Sequence, residues 1–321
     1  MANSTRPQRW RRTEGLRQLV REASLASEQI VLPVFALPGR GREEPVSSLP
    51  NAIRCSPDML AARAEGWRSG AVLAFGVPDE RDPLGSSASD ENGPVARAVR
   101  AIKTERPDLP VMTDVCLCAY TPHGQCAVLT KDGRLDADAT LAALGRMAVT
   151  HAAAGADVVA PSAMQDGQVR VVREALDAGG FGDALILSYA AKFASAFYGP
   201  FRDAARTAPA HGDRRWHQLP LSNRREALRD ALLDEDEGAD ALMVKPALPY
   251  LDVLCELRRE TRLPLFAYQV SGECAMIRHA AAAGALDERE GVMEALVGIR
   301  RAGADAIITY YAEEACRWLN G

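Results

Sequence analysis

The chain has 321 residues, of which 47% are hydrophobic and 25% charged, and its formal net charge is −5. This is the composition of an ordinary globular protein, and the charge argues against partners such as nucleic acid or an anionic membrane surface. No apolar run is long enough to span a membrane and no secretory segment is recognisable, so we expect a cytoplasmic protein with reduced cysteines.

Residues 1–27 precede the first predicted strand and contain six arginines. Two interpretations remain open for this segment: a solvated tail or helix, and an N-terminal arm that packs against a neighbouring subunit. We predict that the rest of the chain, residues 28–321, forms one catalytic domain.

Eight short apolar runs follow, each succeeded by a helical pattern. Their hydrophobicity is nearly continuous, as in strands that are covered on both faces. Eight such units predict a TIM barrel, (β/α)8, which belongs to the α/β class. A doubly wound sheet is the alternative, but residues 37–42 match its Gly-rich phosphate loop poorly. The runs are 30–37, 71–77, 111–117, 157–162, 184–190, 241–245, 263–270 and 306–311.

Three predicted helices end in Gly-Ala-Asp, at 155–157, 238–240 and 303–305, and lead directly into a strand. Glycine suits the left-handed position that terminates a helix. Another helix is predicted to begin with a capping box formed by Asn223 and Glu226.

Catalytic residues of a TIM barrel come from the C-terminal ends of its strands and from the loops that follow. The polar side chains at the predicted strand ends are therefore the candidate catalytic residues. They are Asp114, Ser162, Lys192, Lys245, Ser271 and Tyr310.

The two lysines are the most informative candidates. The chain has only four lysines among its 38 Lys and Arg residues, and Lys192 and Lys245 fall at adjacent strand ends. Neighbouring ammonium groups lower each other's pKa, and a neutral lysine amine is the nucleophile that forms a Schiff base. The alternative is that each lysine forms a structural ion pair with an acidic residue and has no catalytic role.

Three cysteines, Cys116, Cys118 and Cys126, follow the third predicted strand. Three thiolates with an open fourth position are typical of Zn²⁺ that must also bind water or substrate. His123 in the same loop is a further candidate ligand or supporting group. Buried structural cysteines are the alternative.

The segment from Phe193 to Gln218 is long and contains aromatic residues, glycine and arginine. These features predict a lid over an anionic group, and Arg202 and Arg214 are suited to bind a carboxylate through paired hydrogen bonds. An exposed basic loop is the alternative.

Four segments resemble the porphobilinogen synthase family, also called delta-aminolevulinic acid dehydratase. They are Asp-Val-Cys-Leu-Cys at 114–118 with His-Gly-Gln-Cys at 123–126, and residues 188–205, 243–252 and 268–273. The resemblance covers nearly the whole chain. It implies a hydro-lyase that condenses two molecules of 5-aminolevulinate, with loss of two waters, to porphobilinogen for tetrapyrrole and heme biosynthesis.

The resemblance also implies roles for single residues. Lys245 would form the Schiff base with one substrate molecule (the A-side) and Lys192 with the other (the P-side), and Asp114 would assist proton transfer. The three cysteines match the zinc-dependent branch of the family. The substrate-binding residues would be Ser271 and Tyr310 for the A-side carboxylate, Arg202, Arg214 and Gln218 for the P-side carboxylate, and Ser162 and Tyr198 in the wall of the site.

Glu237 matches a position that binds an allosteric Mg²⁺ at a subunit interface in some members. Family members typically form homo-octamers whose N-terminal arms embrace neighbouring subunits, and this implies the same assembly here.

Several residues depart from the usual family pattern and leave substrate shape, rate and assembly open. A paralogue that applies the same chemistry to another amino ketone in specialised metabolism is therefore the alternative. Two other hypotheses fit the sequence less well. A class I aldolase-like lyase would need only one Schiff-base lysine and no metal bound by thiolates. A non-catalytic descendant would be expected to have lost a lysine or a zinc ligand, and neither is lost here. The departures are Gln125, Ala127, Ala163, Gln165, Gln168, His217 and Cys274.

Overall fold

The computed structural model describes residues 5–210 and 212–321, so residues 1–4 of the predicted arm and His211 of the predicted lid lie outside the description. Eight parallel strands form a closed ring, because the first strand pairs with the last through Ile30–Ile307 as well as with the second. The predicted TIM barrel is confirmed. The strands are β1 (Ile30–Ala36), β2 (Ala71–Gly76), β3 (Val111–Val115), β4 (Val158–Pro161), β5 (Leu185–Lys192), β6 (Ala241–Lys245), β7 (Leu265–Gln269) and β8 (Ala306–Thr309).

Helices follow the strands in alternation along the chain. In α3, for example, a proline begins the helix and Val95, Val99 and Ile102 form the buried face. The helices are α1 (Glu14–Leu19), α2 (Pro57–Ala64), α3 (Pro94–Glu105), α4 (Ala137–Ala153), α5 (Gln168–Ala178), α6 (Gly199–Ala204), α7 (Arg224–Asp236), α8 (Leu251–Glu260), α9 (Ser271–Ala282), α10 (Glu288–Arg301) and α11 (Ala312–Asn320).

Short strands lie outside the ring. Ile53–Cys55 pairs in parallel with β1, and Glu43–Pro45 pairs with Ile53–Cys55 in the antiparallel sense. In the loop after β3, Val128–Leu129 and Leu135–Asp136 form a small antiparallel ribbon. No helix among the described residues is both long and apolar enough to cross a membrane.

The strands are apolar along their length because helices cover their outer faces while side chains fill the interior. Every residue of β2 and of β6 is buried. Inside the ring, Phe35 stacks on Phe75 with ring centroids 5.6 Å apart and on Tyr310 at 6.3 Å. The interior is therefore a packed core and not a channel.

The predicted helix ends are found in the structure. Gly155, Gly238 and Gly303 have positive φ angles of 101°, 101° and 121°, in which a side chain would be strained. Helix α7 begins after Asn223 as predicted, but the capping box is wrong: the Asn223 amide donates to the Glu226 carboxylate at 2.7 Å and caps no backbone N–H.

A β-bulge interrupts the pairing of β5 with β6. Ser188 pairs with Leu242 and Ala191 with Val244, so Tyr189 and Ala190 of β5 stand opposite Met243 alone. Side chains normally alternate between the two faces of a strand. The extra residue shifts this alternation, and residues three apart on β5 come to point to the same side.

The N-terminal segment stands apart from the barrel core. Residues 5–26, which include a 3-10 turn at Pro7–Arg11 and helix α1, contain no buried residue. Trp10 and Leu19 are 54% and 75% exposed. Apolar side chains of this size rarely remain open to water together without a binding role.

Candidate active site

A small cavity lies at the C-terminal ends of the strands. Strands β2 to β6 or the residues just after them, together with the long segment after β5, contribute to it, and most of the predicted site residues meet there. Its lining residues are Phe75, Asp114, Cys118, Ser162, Lys192, Tyr198, Phe201, Arg214, Gln218 and Lys245.

The two lysines occupy the ends of neighbouring strands. Lys192 pairs directly with Lys245 in the register of β5 and β6, and their exposed fractions are 6% and 4%. The Lys192 ammonium donates to the backbone carbonyl of Ser162 at 2.5 Å. Burial of a lysine without a carboxylate salt bridge is costly to the folded state, so two such residues side by side call for a functional explanation.

Lys245 lies among aromatic rings. Its Nζ atom is 4.2 Å from the ring centroid of Tyr268, 5.0 Å from those of Tyr189 and Phe201, and 5.5 Å from that of Tyr198. Burial lowers the pKa of Lys245 to about 7, and the positive charge of Lys192 acts in the same direction. Near neutral pH, a large fraction of this amine is therefore uncharged and nucleophilic.

Asp114 faces both lysines from the end of β3. Removal from bulk water raises the pKa of its carboxyl group, while the charge of Lys192 and a hydrogen bond with Ser162 oppose the rise. A carboxyl group under these opposed influences is suited to exchange protons with a neighbouring amine.

The three predicted metal ligands form a cluster. Cys116, Cys118 and Cys126 are buried, and their sulfur atoms all lie within 4.8 Å of one another, with 3.4 Å between the first two. Strand β3 ends at Val115, before the C-x-C pair, so the alternation of a strand does not separate these two sulfurs.

The cluster fits a zinc ion. Sulfur ligands at the usual Zn–S distance are roughly 3.8 Å apart in a tetrahedral site, close to the spacing seen here. The pKa of Cys126 lies well below its usual range because Cys116 and Cys118 donate hydrogen bonds to its sulfur, and Arg214 and His217 add to the effect. Among the described residues this is the one group of three or more potential ligands close enough to share an ion.

Three polar residues converge on a groove beside the cavity. Arg202, Arg214 and Gln218 line it together. The Nε atoms of both arginines and the Nε2 atom of Gln218 are buried without a hydrogen-bond partner among the residues described. Burial, and then the charge of Arg214, lowers the pKa of Arg202. Unpaired donors with two adjacent cations are suited to an anionic group.

Ser271 and Tyr310 each contact a residue whose ring lies beside Lys245. The Tyr310 hydroxyl accepts a hydrogen bond from Tyr268 at 2.9 Å. Ser271 begins α9, and its hydroxyl accepts a hydrogen bond at 2.9 Å from the backbone N–H of Phe201. The segment after β5 is thus anchored over the cavity in this structure, as expected of a lid.

The model of the delta-aminolevulinic acid dehydratase family matches residues 4–318 of this sequence. The chain belongs to this family. It is 50% identical over 312 residues to the dehydratase of Escherichia coli, covering 96% of this chain and 95% of that protein. Its identity to the dehydratase of Halalkalibacterium halodurans is 48% over 318 residues, or 98% and 97% of the two chains.

A solved structure of the same family is similar throughout. It is the delta-aminolevulinic acid dehydratase (porphobilinogen synthase) of Toxoplasma gondii in complex with the reaction product porphobilinogen. The two structures have a TM-score of 0.95 at 41% sequence identity, over 98% of this chain and 91% of that one. The resemblance stated from the sequence is confirmed, and the chain is a lyase of the dehydratase family.

Two of the residues singled out from the sequence lie away from the cavity. Glu237 follows α7 and accepts a hydrogen bond from the backbone N–H of Arg170 at 3.2 Å. Its role in binding Mg²⁺ stays a prediction. Cys274 is buried behind the mouth of the barrel, where its sulfur contacts Gln269 and Thr309.

Of the aromatic residues that surround Lys245, sequence reasoning predicted Tyr198 but missed Tyr189, Phe201 and Tyr268. All three lie within the segments that resemble the dehydratase family, so a signal for their importance was present, although not for their contact with Lys245. Tyr189 could not be placed, because a residue three positions before Lys192 on a regular strand would face outward.

Proposed function

We propose that the chain condenses two molecules of 5-aminolevulinate to porphobilinogen, with loss of two waters, through Schiff bases on Lys245 and Lys192. The observation that carries the proposal is the pair of buried lysines at adjacent strand ends, of which Lys245 has a pKa of about 7. The family match and the relatives' names support the same reaction.

In this reaction, the uncharged amine of Lys245 attacks the ketone carbon of one substrate molecule, and a C–N bond forms as water departs. The rings of Tyr268 and Phe201 keep bulk water from the amine. Asp114 lies where it can hold the proton that is released. Lys192 holds the second ketone next to the first, so the two reactants meet in a fixed geometry.

The carboxylates of the two substrate molecules require separate binding groups. The unpaired donors of Arg202, Arg214 and Gln218 are suited to the molecule on Lys192. The hydroxyls of Ser271 and Tyr310 are suited to the molecule on Lys245, with Ser162 and Tyr198 in the wall of the site.

The thiolates of Cys116, Cys118 and Cys126 would hold a Zn²⁺ ion. When bound, the ion supplies a Lewis acid beside the substrate molecule on Lys245. The positive charge of Arg214 compensates the negative charge of the sulfur cluster. Hydrogen bonds to the carbonyls of Gly124 and Thr207, both at 2.6 Å, hold this buried side chain in place.

Three further properties belong to the proposal. A homo-oligomer, an octamer by family resemblance, would cover the exposed apolar side chains of the N-terminal arm. Glu237 would contribute to an allosteric Mg²⁺ site at a subunit interface. A cytoplasmic location would keep the cysteines reduced and able to bind metal.

The test is incubation with 5-aminolevulinate, followed by measurement of the pyrrole product and by borohydride trapping with peptide mass spectrometry. We expect trapped adducts on Lys192 and Lys245, and loss of product in Lys245→Arg because a guanidinium forms no imine. Lys131→Arg, at an exposed lysine, is the matched control. Two unlabelled active-site lysines would contradict the mechanism, whereas trapping without pyrrole would favour another amino ketone.

A further inference from the structure

Tyr189 is a buried residue whose polar group has no evident structural use. Its exposed fraction is 0%, and its hydroxyl has no hydrogen-bond partner among the residues described. A buried hydroxyl without a partner destabilises the folded state, so such groups are rare in native proteins. Their presence calls for an explanation, and a functional site is a common one.

Other tyrosines nearby use their hydroxyls differently. Tyr198 donates to the carbonyl of Phe193 at 2.8 Å, and Tyr268 donates to Tyr310 at 2.9 Å. Tyr311, on the far side of the barrel wall, donates to Glu288 at 2.8 Å. Tyr189 differs from these residues because its hydroxyl has no partner among the residues described.

The bulge in β5 turns Tyr189 toward the two lysines. The ring centroid of Tyr189 lies 5.4 Å from Nζ of Lys192 and 5.0 Å from Nζ of Lys245. Asp114 is the charged group with the largest electrostatic effect on its phenol. The ring of Tyr189 therefore lies beside both amines, and its phenol is close enough to Asp114 to respond to the charge of that carboxylate.

The phenol stays protonated at neutral pH. Burial raises the pKa of Tyr189 well above its usual range, and the negative charge of Asp114 adds to the rise. In this state the group is a hydrogen-bond donor and not a base. When a lysine forms an imine with a ketone, the ketone oxygen leaves as water and needs a proton. A phenol beside the lysine can donate that proton.

We propose that Tyr189 is a further catalytic residue, which donates its phenolic proton to the oxygen expelled when the Schiff base on Lys245 forms. The inference rests on the proposed function and adds a residue to it. As the nitrogen lone pair forms the C=N bond, the C–O bond breaks with its electrons on oxygen, and the phenolic proton completes a water molecule. The proton that nitrogen sheds then returns to the phenolate, directly or through Asp114.

The test is Tyr189→Phe, which removes one oxygen atom and preserves the ring. General acids contribute about 100-fold or more to a rate, so we expect kcat to fall by about 100-fold with little change in KM. The rate of borohydride-trappable imine formation at Lys245 should fall to a similar extent. The melting temperature should stay unchanged or rise, because the lost hydroxyl has no partner.

Tyr311→Phe is the matched control. It makes the same chemical change outside the cavity and removes the hydrogen bond to Glu288, so we expect a lower melting temperature with unchanged kcat. The pair of variants thus separates a catalytic hydroxyl from a structural one by opposite effects on rate and stability.

The outcomes distinguish a failure of the proposed function from a failure of the role proposed for Tyr189. If the unmodified enzyme forms no trappable imine on Lys245, the proposed function fails whatever Tyr189 does. If it forms the imine and Tyr189→Phe forms it equally fast, only the role of Tyr189 is overturned. A Tyr189→Phe protein that loses stability and activity together would also overturn it, since the hydroxyl would then be structural.

Discussion

Lys245 depends on its surroundings for its reactivity. Its pKa of about 7, against an ordinary 10.5, results first from burial and second from Lys192. The sequence predicted the pairing of the two lysines and their mutual repulsion. It could not predict that burial is the larger effect, because the aromatic side chains around Lys245 come from β5, from the segment after β5 and from β7.

The rate of imine formation at Lys245 should follow this pKa. We expect the rate of borohydride-trapped adduct to rise with pH up to about 7 and then to level off, because the ammonium form is not nucleophilic. Lys192→Met should move the midpoint to higher pH, since it removes a neighbouring positive charge. A midpoint that does not move in this variant would show that the two lysines do not interact.

Cys126 offers a second test at the same scale. Cys126→Ser should strongly weaken metal binding, because a hard hydroxyl replaces the one thiol of the cluster whose pKa is lowered. Zinc content after dialysis and the sulfur-to-metal absorption of a Co²⁺-substituted sample measure the effect. Cys255→Ser, at a half-buried free cysteine elsewhere, is the control. Retention of one tightly bound zinc by Cys126→Ser would contradict the three-thiolate site.

At the scale of single elements, the sequence predicted strands and helix ends well, because both are recorded in local patterns. Apolar runs marked the eight strands, and Gly155, Gly238 and Gly303 marked helix ends. The bulge in β5 was beyond reach, because it depends on the register between strands separated by a helix and a lid. The contact of Asn223 with Glu226 was also not predicted, because the Asn223 side chain can bond either to a backbone N–H of the helix or to the Glu226 carboxylate.

The start of α9 packs tightly against the backbone of the lid. A Cβ atom on Gly272 would lie 2.5 Å from the backbone oxygen of Phe197, where there is no flexible side chain to move. Gly272→Ala should therefore displace the lid, lower the stability by about 1–3 kcal/mol and reduce turnover. Gly199→Ala is the control, since a Cβ atom there meets nothing within 4 Å. Thermal unfolding and kcat of the two variants check the expectation, and equal behaviour would refute it.

At the scale of the whole molecule, the N-terminal arm is the part that a single chain leaves unexplained. Trp10→Asp should shift the protein toward smaller assemblies in sedimentation velocity, because a charge would replace an exposed apolar side chain suited to an interface. Trp10→Phe should preserve the assembly. An unchanged size distribution in Trp10→Asp would mean that this side chain does not contribute to self-association.

The closure of the barrel has a consequence for synthesis. The pairing of Ile30 with Ile307 joins strands that are far apart in the sequence, so β8 must leave the ribosome before the ring can close. Until then, the nascent chain carries two uncovered strand edges that can pair with other molecules. Slow translation of the segment that encodes β8 should therefore prolong exposure to chaperones and to aggregation more than a similar delay before β1 is made.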